Sequence, residues 1–188
     1  MKTLVFYGSA RKGGHTRQMV DLFVETLGGE VELIDAYRTQ GVTPCRDCRW
    51  CWRHPSCCVK DGMQDIYAKV EEADNLVFAS PVYFHSVTGE LKRLIDRFQL
   101  YWAGHVRGDM SDAPKRQGAV LLVGGAPSFP NQFLGAELVL KNLLGDLSAE
   151  CVGEVCLDNS DHDSLETRPE VARAVVELAR KMRAGARE

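Results

Sequence analysis

"TLVFYGSARKGGHT", residues 3–16, is the stretch whose reading decides the fold. Thr3 to Tyr7 form an apolar run without polar alternation, as a strand buried on both faces does, and the run stops at Gly8. Helical spacing follows: Met19, Val20, Phe23, Val24 and Leu27 recur on one face, and Gly28-Gly29 ends the helix. A buried strand, a glycine-rich turn and an amphipathic helix are the first half of a parallel crossover unit, so further units are expected downstream.

They are found. "EVELIDA" (30–36), "NLVFAS" (75–80), "QGAVLLVGG" (117–125) and "AECVGEVCLDN" (149–159) read as four more strands. Between them Met63, Ile66, Tyr67 and Val70 mark one helix. Leu91, Leu94, Ile95 and Phe98 mark another, with Thr88 as its N-cap. "NQFLGAELVLKNLLGDL" (131–147) is a further helix, and Pro169 opens a last one with Val171, Val175, Leu178 and Met182 inward. Five strands alternating with five helices predict an α/β, doubly wound sandwich: a parallel sheet in the order 2-1-3-4-5, with helices on both faces. In such sheets ligands bind beyond the carboxyl ends of the strands, where strand order reverses. Here that means loops 8–16 and 81–88.

A single domain is expected over 1–188, with a Cys-rich insertion loop at about 41–62 that carries no secondary-structure period. The chain is 45% hydrophobic and 26% charged, and its net charge of −3 gives no electrostatic case for nucleic acid or an acidic membrane. No apolar run approaches the roughly 20 residues that span a bilayer. The first residues have too short an apolar run for a signal peptide. A cytoplasmic protein is expected, in which seven cysteines point to metal or redox chemistry before disulfides.

Loop 8–16 joins a buried strand to a helix N-terminus, so backbone N–H groups and the positive end of the helix dipole face an anion. Ser9 and Thr16 add hydroxyls, Arg11 adds a charge, and Gly13-Gly14 lets the backbone come close. The spacing misses a triphosphate-binding P-loop, because Gly14 stands where Lys is needed and His15 where Ser or Thr is needed. It is not G-x-G-x-x-G either. A lone phosphomonoester fits best, with the backbone of His15 mattering more than its ring. In the loop after strand three, Pro81, Val82, Tyr83, Phe84 and His85 are costly to expose. They either cover core or wall a flat ligand such as an isoalloxazine ring.

"CRDCRWCWRHPSCC" (45–58) holds five of the seven cysteines. Cys45, Cys48, Cys51 and Cys57 have the spacing C-x2-C-x2-C-x5-C, which lets four thiolates converge as a [4Fe–4S] cluster needs. Zinc also accepts four thiolates, but its usual pattern pairs two C-x2-C knuckles across a longer gap. Thiols that hold nothing are the third reading, and Cys58 competes with Cys57 as fourth ligand. Trp50 and Trp52 either shield such a centre or pack against a partner subunit. Cys151 and Cys156 read as buried inert thiols, and His54, His105 and His162 as surface residues. Arg180, Lys181, Arg183 and Arg187 suit the C-terminal dipole of the last helix.

Together "GSARKGGHT", the cysteine segment running into "KDGMQDI", and "SPVYFHSVTGELKRLIDR" resemble the NADPH-dependent FMN reductase and iron–sulfur flavoprotein group of the flavodoxin-like fold. The resemblance covers roughly residues 1–125, most strongly 3–16 and 45–97. It implies that Ser9, Arg11 and Thr16 hold the FMN phosphate beside Gly14, with His15 standing where the family usually has Asn. It implies that Pro81 to Phe84 lie along the flavin and that Gly124, Gly125 and Ala126 lie on its other side. Tyr83 and His85 are then the closest candidates for tuning the ring. The compact cysteine run implies a cluster, and Asp61-Gly62-Met63 departs slightly from the family's Asp-Asp-Met. A homodimer or homotetramer is implied as well.

The expected function is an FMN-dependent oxidoreductase carrying electrons from NAD(P)H to a quinone, a flavin or another small-molecule acceptor, with no side chain singled out as acid or base. The alternative is an iron–sulfur flavoprotein electron carrier, with FMN plus a [4Fe–4S] cluster and ferredoxin as donor. A flavin-free redox or zinc-sensing module is the third reading.

Overall fold

A computed structural model describes residues 1–110 and 113–185. Alternate side chains of β1 (Lys2–Tyr7) enter two different cores: Leu4 and Phe6 one, Val5 and Tyr7 the other. The division repeats in β3 (Asn75–Pro81), where Leu76 and Phe78 oppose Val77 and Ala79. It repeats again in β4 (Arg116–Val123), where Val120 and Leu122 oppose Ala119 and Leu121. A continuous apolar strand is what a sheet sandwiched between two helix layers requires.

β2 (Glu30–Asp35) and β5 (Ala149–Leu157) are the edges of a five-stranded, all-parallel sheet of order β2-β1-β3-β4-β5, as predicted. α1 (His15–Leu27) and α6 (Pro169–Ala184) cover one face. The other face carries α2 (Met63–Glu72), α3 (Gly89–Ile95), α4 (Gln99–Arg107) and α5 (Leu134–Asp146). Phe6 and Phe78, paired across β1 and β3, stack at 4.7 Å, and Phe98 closes on Phe6 edge-on at 5.6 Å.

Sequence reading missed α4. The stripe through Phe98 was expected to end a helix, but the chain tightens into a 3-10 turn at Asp96–Phe98 and continues helical to Arg107. α4 buries Tyr101 against the core while Trp102 meets Trp52 of the cysteine loop at 5.2 Å, so it has two apolar sides and no single stripe. α5 begins at Leu134 and not at 131, because Asn131 sits at φ 63° in the left-handed region. Cys151 and Cys156 are half-buried and not fully buried, since β5 is an edge strand. Burial still pushes the Cys156 thiol up to about 12 and raises that of Cys151, which keeps both protonated.

His54, His105 and His162 are exposed, as expected. Lys181 and Arg183 donate to the carbonyls of Val152 (2.6 Å) and Thr26 (3.1 Å), and Arg187 lies outside the described residues. No helix among the described residues is long and apolar enough to cross a membrane.

The sheet ladder runs on into the loops at its carboxyl edge. Gly8 N–H donates to Ala79 O (2.7 Å), Val82 N–H to Val123 O (2.8 Å) and Gly124 N–H to Leu157 O (2.8 Å). Thr88 is the predicted N-cap: its Oγ1 accepts from Leu91 N–H (3.4 Å) and donates to Gly8 O (2.8 Å). One hydroxyl thus ties the loop after β1 to the start of α3.

Candidate functional site

The turn after β1 is shaped from below, where the Tyr7 hydroxyl donates to Arg11 O at 2.6 Å and Ser9 Oγ accepts from Arg11 N–H at 3.3 Å. Gly14 is the N-cap of α1, at φ −78° and ψ 173°. No side chain caps this helix and no acid sits in its first turn, so its amides and dipole are left for an external anion. His15 Nδ1 is buried and has no hydrogen-bond partner. A buried polar atom left in that condition costs about 1–3 kcal/mol, which a bound acceptor or donor would relieve.

Beyond β3, Tyr83 and Ser86 exchange backbone hydrogen bonds of 2.9 and 3.0 Å, with Phe84 (φ 48°) and His85 (φ 60°) between them. Two central residues at positive φ are what a type I′ turn requires, and non-glycine residues hold it only at a cost. The strained turn leaves the Phe84 ring fully exposed and sets the His85 ring edge-on to Phe129 at 5.7 Å. The back of the turn rests on α5 at Gly135, where a Cβ would overlap the His85 carbonyl oxygen.

Two cavities of about 120 and 280 Å³ open along this edge. Ser9, Arg11, Gly14, His15, Thr16, Pro81, Val82, Tyr83 and Gly125 line the first; Val82, Phe84, His85, Gly124 and Gly125 line the second. They meet at Val82 and Gly125, so all the flavin-site residues expected from the sequence come together. Sequence reading missed Ser160 and Asp161 in the first cavity and Phe129 and Gln132 in the second. Their signal was positional: the loops after β4 and β5 reach the same sheet edge. Asn159, Ser160 and Asp161 donate backbone N–H bonds to Ala126 O (2.8 Å), Gly124 O (3.0 Å) and Gly125 O (3.2 Å). The Asp161 carboxylate lies close over Gly125, where an added Cβ would come within 2.9 Å of it and push that side-chain tip aside. Gln132 Nε2 donates to Ala126 O (3.0 Å), leaving its buried Oε1 without a partner. An anion-ready helix end, an apolar wall, a glycine floor and two orphaned polar atoms fit a phosphate ester carrying a flat ring, as FMN is.

The cysteine loop begins just beyond the carboxyl end of β2. It leaves the sheet edge at Ala36, whose N–H donates to Tyr7 O (2.9 Å), and is then laid across α3 and α4 by three arginines. Arg93 donates to the carbonyls of Ala36 (3.3 Å), Thr39 (3.2 Å) and Val42; Arg97 to Thr43 (2.8 Å); Arg107 to Cys51. Cys45, Cys48, Cys51, Cys57 and Cys58 all line one narrow pocket, with Trp50, Trp52, Arg97 and Leu100 among its walls. It shares no lining residue with the two clefts. A 3-10 turn forms at Trp50–Trp52, where no regular structure was expected, and Trp50 stacks on His54 at 3.8 Å.

Among the described residues, no three His, Cys, Asp or Glu side chains converge as they would on a single metal ion. Five thiols lining one pocket, with a guanidinium in its wall, are in chemistry the donors that a thiolate-held cluster uses. Burial pushes the Cys51 thiol up, and the neighbouring Cys45, Cys57 and Cys48 add to it.

The base of the loop is pinned by an ion pair. The Arg97 side chain is 1% exposed and that of Asp61 12%. Asp61 accepts from Arg97 Nη1 (2.7 Å), Thr43 N–H (2.9 Å), Thr43 Oγ1 (2.8 Å) and Met63 N–H (3.1 Å). Burial alone would raise the Asp61 carboxyl, but the guanidinium and the other donors hold it well below the usual carboxylate range.

Several solved structures share this fold. NAD(P)H:quinone oxidoreductase from Methanothermobacter marburgensis superposes with a TM-score of 0.75 at 14% identity, covering 100% of this chain and 98% of that one. An FMN-dependent NADH-azoreductase from Bacillus anthracis gives 0.71 at 15% identity, covering 97% and 100%. In sequence, the chain is similar to an iron-sulfur flavoprotein of Methanosarcina thermophila, at 31% identity over 129 residues, 67% of this chain and 64% of that protein. One from Archaeoglobus fulgidus is 35% identical over 108 residues, 56% of this chain and 48% of the relative. The matched stretch thus spans about half to two-thirds of these relatives' length. The family model described as NADPH-dependent FMN reductase matches residues 1–162, and the chain belongs to that family.

Proposed function

We propose that the protein binds FMN in the joined clefts and is an oxidoreductase that takes electrons from NAD(P)H and delivers them to a small-molecule acceptor such as a quinone or a free flavin. The observation that carries this is the uncapped N-terminus of α1, with the orphaned His15 Nδ1, opening into a cleft walled by Val82 and floored by Gly125. Ser9, Arg11, Thr16 and the first-turn amides would hold the phosphate. Pro81, Val82, Gly124 and Gly125 would orient the ring, and Phe84 and Phe129 would keep water from its edge. FMN, when bound, supplies the hydride and electron chemistry. Phe84, fully exposed beside the cleft, supports a second copy of the chain as the missing wall, in a homodimer or homotetramer.

Arg11→Ala and Thr16→Ala are each expected to weaken FMN binding by about 1–3 kcal/mol, the range for hydrogen bonds to charged groups. Titration of apoprotein, followed by quenching of flavin fluorescence, reads this directly. Unchanged affinity in both variants would put the phosphate elsewhere.

A second reading, an electron carrier with FMN plus a [4Fe–4S] cluster and ferredoxin as donor, is favoured by the five thiols gathered at one cavity. Cys45, Cys48, Cys51 and Cys57 would be the ligands. Anaerobic purification with iron and sulfide assays is then expected to find about four irons per chain. A flavin spectrum alone, without iron after reconstitution, sinks this second reading.

A further inference from the structure

A four-thiolate centre leaves one of the five cavity thiols unused. Cys57 and Cys58 are neighbours in sequence, but the chain turns their sulfurs apart. Cys57 Sγ lies 3.5 Å from Nη2 of buried Arg97 and packs against the core. Cys58 Sγ lies 3.5 Å from Cys48 Sγ, on the exposed side of the loop. Cys48 is itself exposed, and Asp47 (φ 48°) and Arg49 (φ 56°) on either side fold the chain so that it faces Cys58 across ten positions of sequence. A disulfide needs a sulfur separation of about 2.05 Å. The remaining approach is on the order of a side-chain rotation in an exposed loop.

We propose that Cys48 and Cys58 form a redox-active dithiol, which closes to a disulfide when the cavity holds no metal and so withdraws Cys48 from the ligand set. A small-molecule disulfide is the oxidant. Cys48 sulfur attacks one sulfur of the reagent, the reagent's S–S bond breaks and one thiol leaves. Cys58 sulfur then displaces the second thiol and forms the Cys48–Cys58 bond. Two electrons pass from the protein thiols to the reagent, and the two thiol protons end on the released thiols. The disulfide itself rests on sulfur positions alone; its consequence for metal loading rests on the iron–sulfur reading above.

The test uses the full chain, stripped of metal by a chelator, reduced, and exposed without oxygen to excess oxidised glutathione. Free thiols are then alkylated and peptides mapped by mass. The expected product has one internal link, joining Cys48 to Cys58, with Cys45, Cys51 and Cys57 alkylated and the link reversed by dithiothreitol. Oxidised wild-type protein should take up no iron until it is reduced, whereas Cys58→Ser should form no such link, should keep glutathione on Cys48 after the oxidation step, and should take up iron once reduced. In the wild-type protein, alkylation of all five thiols, a link between another pair, or a lasting glutathione adduct on Cys48 overturns the proposal. So does loss of iron uptake by reduced Cys58→Ser, which would make Cys58 a ligand. If reduced wild-type protein also fails to bind iron, the iron–sulfur reading fails, and the peptide map still decides the dithiol.

Discussion

Arg97→Ala is expected to destabilise the protein by about 3–5 kcal/mol, the cost of leaving one member of a buried ion pair behind. The guanidinium bonds Asp61 and Thr43 O, approaches Cys57 Sγ, and is almost fully enclosed. Without it Asp61 keeps its desolvation and loses its charge partner, and the start and end of the cysteine loop lose the group that joins them. A domain of ordinary stability, about 5–15 kcal/mol, would lose a large part of its margin. Arg97→Lys should recover only a fraction, because a point charge cannot span the carboxylate and the carbonyl as the planar fork does.

Urea unfolding gives the number, and the fluorescence of Trp50 and Trp52 reports whether the loop detaches first. A loss below about 1 kcal/mol would mean that the pair behaves like an exposed one. The same pair sets an acid limb. The folded Asp61 carboxyl lies below its unfolded value of about 3.9, so its contribution is complete above that pH and is lost as pH falls toward the folded value. Arg97→Ala protein should therefore lose less stability than wild type between neutral pH and about pH 3.

Gly135→Ala is expected to cost about 1–3 kcal/mol and to weaken FMN binding with it. The added methyl would occupy the space of the His85 carbonyl oxygen, which is backbone and cannot swing aside as a side-chain tip does. Either α5 moves outward or the 83–86 turn tilts, and that turn carries Tyr83, Phe84 and His85 into the clefts. Gly145, in the same helix, is the control: nothing lies within 4 Å of its Cβ position, so Gly145→Ala should be neutral or slightly stabilising. Equal stability and equal FMN affinity for the two variants would show that the turn does not depend on α5 for its position.

The fold was legible because its signals are local. The run Thr3–Tyr7, the stripe Met19–Leu27 and the cap Thr88 each depend on neighbours a few residues away, and period and turn chemistry act at that range. Right-handed crossovers leave few strand orders, and 2-1-3-4-5 is the commoner of them. From there the loops after β1 and β3 had to meet, which is why Ser9, Arg11, Thr16 and Pro81–His85 could be named in advance. α4 was missed because Tyr101 and Trp102 face different partners, and a helix packed on two sides shows no single stripe.

What only the tertiary structure decided depends on groups far apart in the chain. Asp161 and Gln132 joined the clefts through loops that carry no motif, held by bonds to Gly124–Ala126. The cysteine spacing placed five thiols within one loop, but three arginines on the α3–α4 layer determine where that loop lies. Cys57 and Cys58 differ for the same reason: adjacent in sequence, one sulfur is turned to a buried guanidinium and the other to Cys48. Sequence carries the local conformational preferences, and the direction a side chain faces is set by whatever the rest of the chain packs against it.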